Sequence, residues 1–198
     1  MFAPSTGKLS INDLGAELFL KQLETGCVVK YDYVLIDSRN GLGDIPAICT
    51  VDLPDAIAAC FTLNPQSIDG TAKVISHISK SDRARIPVIF PVPMRIENAE
   101  RKRRAQLLKW ARARFDPFLD HIQDRETYWQ QVAFPYQPFY SYGEMLYAAI
   151  EDEGSSLLAS SESVVSYLTN GEVRSCVPIV LPHEREYFLT SYDENSLA

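Results

Sequence analysis

Three short apolar runs rich in β-branched and aromatic residues limit what this chain can become: Tyr31–Ile36, Ala56–Leu63 and Ile86–Val92. Each has the length of a strand and is bounded by turn residues, with almost none of the polar alternation of a half-solvated sheet. Between the second and third, Asn64-Pro65 supplies an N-cap and a proline at the first helical position, which predicts a helix to about Ser79. Buried strands alternating with helices are the pattern of a parallel sheet covered by helices. The expected fold class is therefore α/β, a mostly parallel sheet with helices on both faces.

The other segments fit around that frame. Pro4 and Gly7 punctuate residues 2–7, which read as the end of an extended stretch. Asn12 or Asp13 can cap a helix from about Leu14 to Glu24, with Leu14, Leu18, Phe19 and Leu23 on one face and Gly26 as its stop. Residues 42–46 form a glycine-bearing loop, and 47–51 one or two helical turns. A strongly basic helix is expected from about Glu97 to Phe115, with Ala105, Leu108, Ala111 and Phe115 as its packing face. Val132–Pro138 is proline-rich and extended, a last edge strand or the loop beyond it. Two short helices follow, over 141–150 with Ser141 and Glu144 as a capping box, and over 155–168. The organisation expected is one domain over residues 1–170 and an irregular tail over 171–198.

Composition narrows the function classes. A length of 198 residues, 46% of them hydrophobic, suits one well-buried core. The net charge of −7 argues against a general nucleic-acid binder, although a local basic patch can survive a negative total. Cys27, Cys49, Cys60 and Cys176 show no C-x-x-C spacing, and His77, His121 and His183 are dispersed, so no metal-ligand cluster is visible. No apolar run approaches the ~20 residues that span a bilayer, and no basic-then-apolar leader opens the chain. The expectation is a soluble, cytoplasmic protein.

The first run ends at a carboxylate and a turn, Tyr31-Asp-Tyr-Val-Leu-Ile-Asp37-Ser-Arg-Asn-Gly41. A buried strand would deliver Asp37 to its carboxyl end, where ligands of open α/β sheets sit, and an acid there can serve a phosphate-bound metal. An ordinary strand-end aspartate capping the next turn fits the same pattern. Asn64 reads as a helix cap. Pro91, Pro93 and Pro138 read as strand terminators, and Arg39 as a surface ion-pair former.

With Ile48-Cys-Thr-Val-Asp-Leu-Pro-Asp and Cys60-Phe-Thr-Leu-Asn-Pro-Gln-Ser-Ile-Asp-Gly70, the Tyr31–Gly41 stretch resembles the ParA/MinD-like P-loop ATPases. More narrowly it resembles a bacterial branch with a K-G-G-V-G-R type phosphate loop and the phrase D-S-R-T-G, with Asn40 here in the threonine's place. The likeness runs from about residue 2 to about residue 168. It implies a P-loop NTPase, Rossmann-like fold, ATP and Mg2+ as ligands, and ATP hydrolysis driving a switch or dimerisation. By this likeness Asp37 is the switch aspartate acting on magnesium through water. Ser38 and Arg39 form the adjoining turn, Gly41 is the switch glycine, and Pro93 and Arg95, with Pro91 and Pro138 nearby, border the base pocket.

One part of that pattern is missing. No G-x-x-x-x-G-K-[ST] occurs, and Thr6-Gly7-Lys8 lacks the earlier glycine and the hydroxyl residue after lysine. Backbone amides and a lysine of that loop neutralise the phosphates, so the chain is expected to be a C-terminal, catalytically incomplete portion of such an ATPase. Its partners would be its own missing N-terminal half or another chain. Two other readings remain: a protein-interaction module on a degenerate NTPase fold, and nucleic-acid binding through Arg101, Lys102, Arg103 and Arg104 of the basic helix. For that helix the alternative is a solvated face balanced by Asp116, Asp120 and Asp124.

Overall fold

The computed structural model describes residues 22, 24–37, 53–81, 85–97, 101–141, 147, 151 and 154–176. The chain divides into two compact units, Met1–Asp55 and Ala56–Ala198.

In the first unit, residues 24–28 are helical and close in a turn at 29–30, where the amides of Lys30 and Tyr31 both reach the Cys27 carbonyl. Gly26 lies inside this helix rather than ending it. The run Tyr31–Ile36 departs from expectation. It is not assigned as strand, and Leu35 is 93% exposed and Tyr31 62%. A β-branched, aromatic run becomes a strand only when a neighbouring backbone accepts its ladder, and among the described residues none does. The expected segments at 2–7, most of 14–24, and 42–51 fall outside the described residues.

The second unit is mixed α/β. Strand β1 (Ala56–Thr62) pairs in parallel with β2 (Val88–Met94), in register from Ala56 against Val88 to Thr62 against Met94. Helix α1 (Pro65–Ser79) makes the crossover and packs on β1 through Ile68, Ile75 and Ile78. This strand–helix–strand unit agrees with the sequence reading; β1 ends one residue earlier and β2 lies two residues later. Asn64 caps α1, its side chain accepting from the Ser67 amide at 2.8 Å and donating to Thr62 Oγ1 at 2.7 Å. Asn64→Ala is expected to cost about 1 kcal/mol. Urea unfolding followed by circular dichroism checks this, and an unchanged midpoint would show that the cap adds nothing.

Pro91 and Pro93, expected to end the strand, lie within β2 with their rings fully buried. Their carbonyls point away from β1, since Pro91 accepts from the Tyr128 hydroxyl at 2.8 Å and Pro93 from the Phe134 amide at 2.9 Å. The N–H and C=O of one strand residue share a lateral direction, so the two absent N–H groups are missing from that same outer edge. Proline is tolerated here because the β1 side of the ladder is made by the alternate residues.

Five further helical segments follow β2. Helix α2 (Arg101–Phe115) matches the basic helix and starts four residues later than expected. A 3-10 turn at Asp116–Phe118 leads to α3 (Arg125–Gln131), capped by Asp124 through the Thr127 amide at 3.0 Å. Another 3-10 turn occupies Pro138–Ser141. Helix α4 (Ser156–Leu168) is capped by Ser155 and rests against α3 and both strands. Successive strand side chains alternate, so Phe61 and Phe90 fall on opposite faces of the sheet. Phe61 meets Phe115 at 4.6 Å and Trp129 at 6.5 Å between ring centroids, while Phe90 meets His121 at 5.0 Å. Among the described residues no helix is long and apolar enough to cross a membrane.

Candidate functional site at the carboxyl ends of the strands

Parallel register places the ends of β1 and β2 side by side, with Thr62 opposite Met94. Beyond Thr62 the chain enters α1 directly. Beyond Met94 it reaches Arg95, whose φ of 55° is one of two positive values at non-glycine residues among those described. A left-handed conformation costs a residue with a Cβ about 1–2 kcal/mol.

The local hydrogen bonds explain why Arg95 adopts it. Alternation along β2 would aim residue 95, and not 96, at the outer edge. Instead Ile96 donates to Phe134 at 2.9 Å and accepts from Tyr136 at 2.9 Å, forming an isolated parallel bridge with Pro135. Arg95 thus shifts the phase of the strand by one residue, as a bulge does. The segment expected to be an edge strand or loop is a loop that makes this single bridge. The same turn leaves the exposed Arg95 guanidinium 5.0 Å from the centroid of the Tyr136 ring.

On the β1 side the groups are largely engaged with one another. The Thr62 amide donates to Ser67 Oγ at 3.0 Å, and the amides of Ser67 and Ile68 return to the Asn64 side chain and carbonyl. Pro65 has no amide hydrogen, so of the first-turn amides only that of Gln66 stays outside these bonds. The positive end of the α1 dipole and the Arg95 charge favour an anion at this end of the sheet.

Electrostatics elsewhere in the unit are structural. Burial pushes the Tyr128 hydroxyl well above its ordinary range, with Tyr167 and Cys60 adding to the effect. Burial also raises Tyr140, and Glu151, which accepts its hydroxyl at 2.6 Å, adds to it. Desolvation beside Phe90 lowers His121; Asp120 opposes that shift and Arg125 reinforces it.

The expected site residues are distributed unevenly. Asp37 belongs to the first unit and is exposed at the end of an irregular segment. Ser38, Arg39 and Gly41 lie outside the described residues. Pro91 and Pro93 are buried in the core, whereas Arg95 is exposed and meets Tyr136, which lies in the proline-rich Val132–Pro138 stretch and is not among the expected site residues. Its signal was present: an aromatic residue between two prolines just after an extended stretch.

The fit to ATP and magnesium divides accordingly. Arg95 and Tyr136 form a cation–π pair on which a planar ring can stack. A triphosphate needs several convergent amides and a lysine, and the single Gln66 amide does not amount to that. Among the described residues no group of three or more His, Cys, Asp or Glu side chains gathers around a metal position. Comparison of the chain with family models, curated proteins and solved structures finds no match.

Proposed function

We propose that this chain is the switch-bearing, later-strand part of a ParA/MinD-like nucleotide-binding domain of the P-loop NTPase type. The parallel β1–α1–β2 unit carries this reading, because its adjacent carboxyl ends present a capped helix N-terminus and an arginine stacked on a tyrosine. The Asp37–Gly41 phrase supports it from the sequence, with Asp37 as the acid that would reach magnesium through water. The phosphate cradle is absent from these 198 residues, so the loop would come from another stretch of polypeptide, either the protein's own preceding half or a separate chain in the bacterial cytoplasm.

In that arrangement Arg95 and Tyr136 hold the base, the α1 end and Arg95 attract the phosphates, and the missing loop supplies most of the binding. Isolated chain is therefore expected to hold ATP and magnesium too weakly to detect at micromolar concentrations and to leave ATP intact. Equilibrium dialysis with labelled ATP and magnesium measures this. Clear micromolar retention by the isolated chain would overturn the claim that the site is incomplete. A protein-interaction module without a nucleotide site predicts instead that Asp37→Ala changes nothing even after a loop-bearing partner is supplied.

A further inference from the structure

The two edges of the β1–β2 sheet are finished in different ways. The outer edge of β2 is closed: Pro91 and Pro93 present no N–H there, and their carbonyls take the Tyr128 hydroxyl and the Phe134 amide. Their register partners, Ala59 and Phe61, are the β1 residues whose backbone groups face β2. The alternate residues Ala56, Ala58, Cys60 and Thr62 therefore turn their N–H and C=O groups to the other edge of β1.

At its carboxyl end that edge is also closed. Thr62 donates its amide to Ser67 Oγ at 3.0 Å and accepts from the Asn64 amide at 2.8 Å. Ala56, Ala58 and Cys60 remain, and among the described residues no group meets their outward N–H or C=O. Ala58 and Cys60 are exposed and Ala56 is half-buried.

Nothing within β1 guards this edge. Its sequence, AIAACFT, has no charge and no proline, the two commonest devices that keep an exposed strand from pairing. The densest run of basic residues lies on α2 instead. There Arg101, Lys102 and Arg103 are exposed, Arg104 is half-buried, and Arg112 and Arg114 are fastened to Glu126 and Asp69.

Alternate unpaired N–H and C=O groups are complementary to the backbone of another extended segment. This edge is also complementary to itself, because Ala58 is the middle of the three residues left open. A second copy turned about a twofold axis through Ala58 runs antiparallel to the first, with Ala58 against its own counterpart and Ala56 against Cys60 on either side. Every side chain at that seam is alanine or cysteine, small enough for the two sheets to meet and without charge to repel.

We propose that the free edge of β1 joins the same edge of a second copy, giving a dimer with one continuous sheet in the order β2–β1–β1–β2. It needs no nucleotide and does not depend on the strand-end site. The ladder holds about six hydrogen bonds and little side-chain area, so association is weak and set by concentration. It stops at two copies, because Pro91 and Pro93 close the far edge of each β2.

The test is analytical ultracentrifugation of the full chain without nucleotide, from about 5 to 500 μM. Wild type is expected to move from monomer towards dimer mass across that range and no further. Ala58→Pro removes an outward N–H, as Pro91 does on β2, leaves the β1–β2 ladder intact, and should weaken association about tenfold or more. Ala58→Lys and Ala58→Glu each set like charges roughly 5.5 Å apart across the axis and should associate as poorly alone. Mixed in equal amounts, these two should recover at least the wild-type dimer, which misfolded chains cannot do. Monomer throughout the range would overturn the proposal, as would growth beyond the dimer. Wild-type association by Ala58→Pro, or no recovery when the lysine and glutamate variants are mixed, would overturn it too.

Discussion

Phe115→Ala is expected to lower the unfolding free energy of the second unit by about 3–5 kcal/mol, the range for removing a fully buried phenylalanine. The ring is 0% exposed and lies 4.6 Å from the Phe61 ring and 6.4 Å from Trp129. Its neighbours come from β1 and α3, while Phe115 itself ends α2. The hole would thus be walled by three elements whose ends are fixed separately, and it can collapse only by shifting the sheet or breaking a cap. Urea unfolding followed by tryptophan fluorescence measures the loss directly, because Trp129 lines the cavity. A loss below about 1 kcal/mol with an unchanged slope would mean that this aromatic cluster is not the core of the unit.

Tyr128→Phe is the second large effect, and it comes from one atom. The hydroxyl of Tyr128, a residue with 0% exposure, donates to the Pro91 carbonyl on the outer edge of β2. Phenylalanine keeps the ring, its edge-on contacts with Trp129 and Tyr167, and nearly all the buried area. What it leaves is a buried carbonyl with no donor, a loss of about 1–3 kcal/mol. The comparison that decides the matter is Tyr167→Phe, which removes an exposed hydroxyl bond to Gln131 and should cost about 0.5 kcal/mol or less. Equal losses from the two substitutions would mean that the Pro91 carbonyl finds another donor and that Tyr128 does not seal this edge.

Several elements were legible because their causes are local. Asn64-Pro65 announces α1 through a side-chain acceptor and a proline with a preset φ, and both act within one turn. Ser155 does the same for α4. The seven-residue α3 went unread although Asp124 and Thr127 form its cap, because so short a helix shows no clear period and its aspartate read equally well as a balancing charge. The contact made by Tyr136 was hidden for a different reason. Its partner Arg95 is forty-one positions away, and the phase shift that brings them together depends on a left-handed residue that no propensity predicts for arginine.

By itself the sequence determined the α/β class, the positions of β1, α1, β2, α2 and α4, and the presence of a basic helix in an acidic chain. Those follow from period, caps and charge, which residues carry wherever they are placed. The tertiary structure alone decided which runs became sheet. Ala56–Thr62 and Val88–Met94 found each other, whereas the equally β-prone Tyr31–Ile36 is not paired among the described residues. It also decided that Pro91 and Pro93 sit inside a strand, and that Asp116, Asp120 and Asp124 are tied to Trp129, Arg125 and Thr127 rather than to α2. A ladder bond or an ion pair needs a second group at about 3 Å, and only the folded chain sets which groups come that close.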